Sequence, residues 1–445
     1  MGLKSKDNHV IYQSWAAFCA NIPNIILGMS IAWNGVYLPK FQTEDSPLTV
    51  LTKSQIGMMA GIGAIGCVIG NLLSGWLSEM LGRKITLALV GIPQLLSWTM
   101  HLSNDFTLTV IGRCILGIVA GFSFVVTPVF VAEIADDEHR GFFGTFLSLA
   151  CNTGILLGFI LMNYLDYNQI NFLMVGMSAL YFIGILSIKE SPVWYALKGR
   201  HEDAVKANFY YKGKADEMKE VADDVTTEVQ KFSFKDFYAK ETRKGVILSI
   251  ILITFPLVSG TVVLVNYAVK IFDEASSHLS SIVSSIIVAL IQLIGSYIAT
   301  LLVERTGRKT LLIASSLGCF LSLTVMGSYY YLKNLDLDMK HFTIVPLLSF
   351  SVLVLFSAIG LAGVPFVVIA EIVPERMRGP MFTVCLVIFS GLGAIVMTYF
   401  IPLVSSVGMH GCIWLYAVCS IIACTITVLF IPETKKDVAT TTIKA

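Results

Sequence analysis

The sequence predicts an all-α membrane protein in which twelve transmembrane helices form two six-helix bundles. Three observations lead to this prediction: the composition, the number of apolar stretches, and a charged motif that occurs once in each half. The chain has 445 residues, of which 55% are hydrophobic and only 14% are charged, and its mean hydropathy is +0.76. Soluble domains carry about 25% charged residues, so soluble, disordered and nucleic-acid-binding proteins are disfavoured. The net charge of +1 would not attract a polyanion.

The candidate spans each need about 20 mostly apolar residues. They cover 14–38, 54–78, 85–103, 107–132, 142–164, 170–188, 245–271, 279–303, 309–332, 342–370, 380–403 and 411–431. The long polar stretch 189–244 separates six spans from six. We therefore expect an N-terminal bundle at 1–188, a cytoplasmic loop with short helices at 189–244, a C-terminal bundle at 245–431 and a cytoplasmic tail at 432–445.

The central loop contains two segments of mixed character, 202–209 and 215–229. Both combine acids, bases and scattered apolar residues. Two interpretations stay open: solvated surface helices, or short cytoplasmic helices that brace the inner mouth of the bundles.

The distribution of Lys and Arg predicts the orientation, because cytoplasmic loops carry an excess of positive residues. With the N-terminus inside, most cations fall in inner loops and the central loop. The outer loops keep only Lys40, Lys53, Lys270, Lys333 and Lys340. Both termini are therefore expected in the cytosol.

The nine cysteines all lie in apolar stretches. None forms a CxxC motif or pairs with histidine at metal spacing, so they are expected to be small buried hydrophobes, and neither a metal site nor a cofactor is predicted. The sequence contains no HExxH, GxSxG or P-loop motif, and an enzyme is not expected.

A charged motif repeats between the two halves. The segments 75–84 and 300–309 each end in Gly-Arg-Lys, at an offset of 225 residues. A second pair agrees: Glu133 precedes Arg140 by seven residues, and Glu371 precedes Arg378 by seven. Parallel repeats of six helices are one plan of secondary transporters. Guanidinium–carboxylate pairs at the inner ends would serve as a reversible gate; the alternative is that the cations only anchor the topology.

These motifs resemble those of the sugar-porter branch of the major facilitator superfamily. Further segments also match motifs of this branch, and the resemblance covers essentially the whole chain. They are Gly112-Arg113, 128–134, 189–194, Ser259-Gly260, 267–272 and 432–436. Within the branch, the segment that starts at Asn152 looks most like insect facilitated trehalose transporters. The resemblance implies the major facilitator fold, a plasma-membrane location and a monomer. The predicted cytoplasmic gate consists of Glu79, Arg83, Glu133, Arg140, Glu190, Glu304, Arg308, Glu371, Arg378 and Glu433.

The chain departs from the branch at the positions that usually hold sugar. These positions carry Ser148, Pro256, Leu257, Val262, Ala358, Phe366 and Phe389. Amides that donate and accept hydrogen bonds, together with stacking aromatics such as Trp33, suit a hydroxyl-rich ligand. The candidate solute-binding residues are Asn34, Asn152, Asn266, Tyr267, Gln292 and Phe366. For each polar one, a helix–helix hydrogen bond is the alternative.

The predicted function is transmembrane transport of a small polar solute by alternating access, with a hexose or trehalose-like sugar as the leading candidate. Arg113 lacks the span 1 carboxylate that proton-coupled sugar porters pair with it, which favours facilitated diffusion; backbone carbonyls or Asn34 are its candidate partners. The alternatives are a non-sugar solute carrier, a proton-coupled sugar symporter and a non-transporting solute sensor. The expected partners are the solute and the lipid bilayer, without nucleic acid.

Overall fold

The computed structural model describes residues 3–44, 46–136, 143–213, 242–275, 279–335, 337, 340–374 and 377–433, without the side chains of 3–8, 304, 305 and 340. These residues form helices and connecting turns, and no strand occurs among them. The chain separates into two compact units, Met1–Lys231 with Gly393–Thr398, and Phe232–Leu392 with Tyr399–Ala445. The division at 231 lies within 214–241, outside the described residues. The predicted domain boundaries stay predictions.

Unit 1 contains eight described helices. They are α1 (Leu3–Lys40), α2 (Lys53–Leu81), α3 (Arg83–His101), α4 (Phe106–Ile134), α5 (Phe146–Tyr164), α6 (Tyr167–Ser187), α7 (Pro192–Leu197) and α8 (His201–Lys212). Glycines bring the long helices close together: a Cβ on Gly117 of α4 would collide with the backbone of Gly63 on α2, and one on Gly154 of α5 with the backbone of Ile25 on α1. Small residues at such contacts are typical of helix packing in membranes.

The helices of unit 2 are more often interrupted. They are α9 (Arg243–Val258), α10 (Thr261–Asn266), α11 (Ala268–Ala275), α12 (Ser281–Thr306), α13 (Arg308–Asn334), a 3-10 turn (Lys340–Phe342), α14 (Val345–Phe356), a π-helical turn (Ser357–Leu361), α15 (Val364–Ile372) and α16 (Arg378–Phe430). In α16, Gly408 has non-helical dihedrals (φ 75°, ψ 164°) and divides the 53 residues into two helices.

The helices account for the twelve predicted spans. Ten described helical segments are long and apolar enough to cross a membrane. One of them is α16, which Gly408 divides into two, and α3 adds a 19-residue helix that begins with two cations. Large apolar side chains such as Leu72, Leu180 and Ile183 are mostly exposed on the helix surfaces, which is expected for contact with lipid. The prediction of an all-α membrane fold is confirmed.

The seventh and tenth spans are broken. Span 7 consists of α9, α10 and α11, because Gly260 takes a left-handed conformation (φ 75°) after Pro256 in α9, and Tyr267 leaves the helical region. Span 10 contains the π-helical turn before Pro365 opens α15. In unit 1, α1 and α4 stay continuous although they contain Pro23 and Pro128. Interruptions of this kind line binding sites in transporters.

The segment 202–209 belongs to α8, which packs against α1. Tyr211 is fully buried, and its backbone carbonyl accepts a hydrogen bond from Gln13 Nε2 (2.8 Å). Its hydroxyl donates to the Lys189 carbonyl (2.8 Å). One face of this helix therefore packs against the rest of unit 1, while Glu202 and Lys206 on the other face are exposed; the segment 215–229 lies outside the described residues. All nine cysteines are free thiols, and six of them are buried while Cys114, Cys151 and Cys419 are half-buried.

Candidate functional site

The turn between α2 and α3 depends on Gly82. Its dihedrals (φ 105°, ψ 162°) lie in a region that essentially only glycine occupies. A Cβ at this position would also collide with the carboxylate of Glu190. The turn places the first residues of α3 directly beside the chain that follows α6.

The unit 1 charge cluster consists of Arg83, Glu133 and Glu190. The guanidinium of Arg83 contacts both carboxylate oxygens of Glu133, through Nη2 to Oε1 (2.9 Å) and Nε to Oε2 (3.1 Å), and its Nη1 donates to the Ser78 carbonyl (3.0 Å). The two side chains are 8% and 12% exposed. This bidentate, nearly buried pair joins the start of α3 to the end of α4, and it is the strong form of an ion pair.

Glu190 caps the N-terminus of α3. Its carboxylate accepts backbone N–H bonds from Arg83 (3.0 Å), Lys84 (3.0 Å) and Ser191 (2.8 Å). The first N–H groups of a helix lack internal partners and favour an anion. Burial raises the pKa of the Glu190 carboxyl, while these N–H bonds and the Arg83 charge act in the opposite direction.

The unit 2 charge cluster repeats this arrangement with Arg308, Glu371 and Glu433. Arg308 Nη2 lies 3.1 Å from Glu371 Oε1, and Arg308 Nη1 donates to the Val303 carbonyl (3.1 Å). Glu433 accepts the backbone N–H groups of Arg308 (2.9 Å) and Lys309 (3.2 Å). The ion pair is more exposed than its counterpart, at 17% and 29%. The two halves therefore share one local design, and each cluster lies within its own unit.

The other four predicted gate residues are placed differently. Glu79 is exposed, and its backbone carbonyl accepts a bond from Trp194 Nε1 (3.0 Å). Arg378 is exposed at the first residue of α16. Arg140 lies outside the described residues, and the side chain of Glu304 is not described. Six of the ten predicted residues thus form two groups of three, with Glu133 and Glu371 as the partners of the motif arginines.

Two predicted solute-binding residues lie in unit 1, and both are buried. Asn152 of α5 is at the level where this helix contacts Gly28 of α1. Asn34 is six residues beyond Gly28 on α1, which corresponds to about 9 Å along the helix. The structure therefore places these two amides at different depths of the bundle.

The other four lie in unit 2, at separate positions. Asn266 and Tyr267 occupy the joint between α10 and α11; Asn266 Nδ2 donates to the Val262 carbonyl (2.8 Å), and the fully buried Tyr267 stacks on Phe400 with ring centroids 4.8 Å apart. Gln292 is half-buried on α12, one turn before Gly295, where this helix meets the π-helical turn.

Phe366 of α15 lies in an apolar cluster with Ile253, Ile369 and Met381. Its ring is parallel to that of Phe382, with centroids 6.2 Å apart. These contacts are those of a packing residue, and the side chain is half-buried.

Arg113 lies in α4 beside an aromatic cluster of unit 1. Its Nε donates to the Met59 carbonyl (3.0 Å), and its guanidinium is centred 5.1 Å from the Trp33 ring. Trp33 is fully buried and also contacts His101, with centroids 5.4 Å apart, and Tyr167 (6.0 Å). A backbone carbonyl is thus one partner of Arg113, which is one of the two candidates that the sequence offered. Trp33 packs inside the bundle and lies against the guanidinium.

The all-helical fold, the broken spans and the duplicated charge clusters define a secondary transporter of the major facilitator class. A family model described as "Sugar (and other) transporter" matches residues 14–440. The chain belongs to this family, and as a transporter it is not an enzyme.

Two relatives and one solved structure illustrate the similarity. The chain is 30% identical to the facilitated trehalose transporter Tret1 of Bombyx mori and 29% identical to that of Culex quinquefasciatus. Both matches extend over 431 residues, covering 95% of this chain and 84% and 83% of the relatives. The xylose transporter XylE from E. coli, in a partially occluded inward open conformation, superposes with a TM-score of 0.80 at 20% identity, covering 96% of this chain and 99% of XylE. At this identity the match supports the fold alone.

Proposed function

We propose that this protein carries a sugar of the hexose or trehalose class across the plasma membrane by facilitated diffusion, with both termini in the cytosol. The observation that supports this most directly is membership of the sugar transporter family over nearly the whole chain. Relatives at 29% and 30% identity are named facilitated trehalose transporters, which makes a disaccharide the first solute to test.

We propose facilitated diffusion, and not proton-coupled transport, because of the residues around Arg113. No Asp or Glu occurs between Asp7 and Glu44, so α1 supplies no carboxylate at membrane depth. The Met59 carbonyl and the Trp33 ring face the guanidinium instead. A coupling proton needs an ionisable group that gains and loses it during the cycle, and α1 provides no carboxylate for that role.

The two charge clusters are proposed to form the cytoplasmic gate. Each joins the start of a span to the end of another through a carboxylate and a guanidinium, and each carries a second carboxylate on the helix N-terminus. Several such contacts together can bias a two-state equilibrium by a few kcal/mol and still be reversible.

The test is uptake of labelled trehalose, glucose, fructose and a polyol into liposomes that contain the purified protein. We expect one of the sugars to equilibrate without accumulation, with or without a pH gradient. Asn152→Ala and Gln292→Ala should each reduce its uptake about tenfold, the effect of one lost hydrogen bond of about 1.4 kcal/mol. The control is Asn163→Ala, an exposed asparagine on the same helix as Asn152. Equal uptake by all variants would rule out these two residues, and no sugar uptake would rule out the function.

Proton coupling is the second candidate, and His101 favours it. This imidazole is fully buried beside Trp33, and its Nδ1 lies 2.8 Å from the Ser97 carbonyl. A coupling role would require this imidazole to gain and lose a proton during the transport cycle. Accumulation of sugar under an inward proton gradient, lost in His101→Phe while equilibration is kept, would replace facilitated diffusion by symport.

A further inference from the structure

A cavity of about 440 Å³ lies at the end of unit 1 where α3 begins. Its wall is formed by the start of α3, the chain after α6, and the short helices α7 and α8. We name it the cation cavity after four residues that line it, Lys84, Lys189, Arg200 and Lys206. The predicted gate and the predicted solute-binding residues do not account for these cations, apart from Lys84, whose backbone is capped by Glu190.

The lining has an excess of positive charge. Two acids, Glu190 and Asp203, face the four cations. The Glu190 carboxylate accepts hydrogen bonds from backbone N–H groups, and Asp203 Oδ2 lies 2.7 Å from Arg200 Nη2. Lys206 lies 3.9 Å from an almost fully exposed Glu202, a contact worth little in water. An anion in this cavity would therefore meet cations that the protein itself neutralises only in part.

Aromatic rings hold two of the cations in place. The Arg200 guanidinium is centred 4.8 Å from the Tyr195 ring, and Lys189 Nζ lies 4.2 Å from the Tyr210 ring centroid. Arg200 donates through Nε and lies with Nη2 against Asp203 Oδ2, and N–H donors of a guanidinium that remain available match the oxygens of a phosphate group.

The cavity borders the lipid-facing surface. Ile85 lines it and is 48% exposed, and Leu186, whose carbonyl accepts a bond from Lys84 Nζ (3.0 Å), is 52% exposed. One turn further along α3, Leu89 is also exposed. Apolar side chains on one side and cations on the other match the two parts of a phospholipid, its acyl chains and its headgroup.

We propose that the cation cavity binds the headgroup of a phospholipid with a net negative charge, such as phosphatidylserine, from the leaflet that surrounds this end of unit 1. Free phosphate offers the same chemistry, but it would leave the apolar border unused. The proposal concerns a site apart from the transported solute and does not depend on the identity of that solute.

The test is lipid binding to the purified full-length protein in detergent, followed by native mass spectrometry with no sugar present. We expect dioleoylphosphatidylserine to bind at least tenfold more tightly than dioleoylphosphatidylcholine. Lys206→Gln and Lys189→Gln should each weaken the phosphatidylserine complex about fivefold, since one cation near an anionic lipid contributes about 1 kcal/mol. Lys198→Gln is the matched control, because this lysine lies on the same cytoplasmic segment and does not line the cavity.

Three results would overturn the proposal. One is equal affinity for the two lipids. Another is an equal loss of affinity in Lys198→Gln and Lys206→Gln. The third is displacement of phosphatidylserine by inorganic phosphate at matching concentration, which would identify free phosphate as the occupant. Melting temperatures of the variants, compared with the unmodified protein, verify that each is folded.

Discussion

Arg83 and Arg308 each pair with a glutamate at the equivalent position of their half, but the two ion pairs differ in burial. The Arg83–Glu133 pair is almost enclosed, whereas the Arg308–Glu371 pair is partly open to solvent. The free energy lost when one partner of such a pair is removed depends on this difference. Water screens an exposed pair and solvates the charge that remains, whereas a buried charge is left without compensation.

Glu133→Gln should therefore destabilise the protein more than Glu371→Gln. Removing one partner of a nearly buried pair costs about 3 kcal/mol, and the cost falls toward about 1 kcal/mol as solvent reaches the pair. Thermal unfolding of the purified protein in detergent measures both, and each variant serves as the control for the other. A larger loss of stability in Glu371→Gln than in Glu133→Gln would show that burial does not decide the strength of the two ion pairs.

Glu190 predicts a dependence of stability on pH. Because burial raises the pKa of this carboxyl above its ordinary value of 4.5, the folded state binds its proton more tightly than the unfolded chain does. The stability that this provides is fully present below pH 4.5 and is lost as the pH rises through the raised pKa. Relative to Glu190→Gln, which cannot titrate, the unmodified protein should become less stable over this range. Melting temperatures measured across pH 4 to 7 provide the comparison, and an opposite trend would refute the sign.

At the scale of elements, the turn before α3 and its counterpart before α13 each depend on one glycine. Gly82 and Gly307 share dihedrals that other residues avoid, and a carboxylate lies against each of them. The helices begin where they do because this turn presents their first N–H groups to Glu190 and Glu433.

Gly82→Ala should lower the free energy of unfolding by about 1–3 kcal/mol, the cost of a non-glycine residue in this backbone region. Gly75→Ala is the control: the same motif contains it, it lies inside α2, and a Cβ there meets nothing within 4 Å. That variant should be neutral or slightly more stable, since alanine favours a helix over glycine. Similar melting temperatures for the two variants would show that the turn is not strained.

The break in span 7 gives a prediction about transport. A Cβ on Gly260 would enter the Tyr416 ring, and its positive φ disfavours alanine by about 1–2 kcal/mol. Gly260→Ala should therefore shift the joint between α9 and α10 and reduce sugar uptake several-fold. Gly391→Ala, in α16 with open space around its Cα, should leave uptake in liposomes unchanged. Normal uptake by Gly260→Ala would show that the conformation of this break in span 7 is not required for transport.

At the scale of the whole molecule, the distribution of Lys and Arg predicts the orientation. Because cations are retained on the cytoplasmic side, epitope tags at either terminus should be stained by antibody only after cells are permeabilised. A tag inserted after Ser46, between α1 and α2, should be stained on intact cells. The reverse pattern would show that the predicted orientation is inverted.

Much of the charge-cluster design could be predicted from the sequence, because the motif occurs twice with matched spacing. The pairing of each arginine could not. Glu133 is 50 residues from Arg83, and Glu79 in the same motif was an equally reasonable partner. The helix-capping role of Glu190 and Glu433 was also missed, although the signal was present: each glutamate lies two residues after the isoleucine that ends its predicted bundle, Ile188 or Ile431.

The predicted solute-binding residues show where sequence reasoning ends. Polar residues within apolar spans identify candidates, yet the pattern does not say which side of a helix faces a neighbour. Phe366 lies in an apolar cluster and Trp33 in an aromatic one. Whether Asn34, Asn152, Asn266, Tyr267, Gln292 and Phe366 contact solute remains a proposal.

The sequence by itself determined that the chain lies in a membrane, that it has about twelve spans, and that its two halves carry the same charged turn, because hydropathy and repeated motifs are local properties of the chain. The tertiary structure alone decided which carboxylate meets which guanidinium, where spans 7 and 10 break, and that cations of α3, of α8 and of the chain on either side of α7 surround one cavity. These features depend on which faces of distant helices pack together, and packing is set by shape and small residues over many turns, which no local pattern encodes.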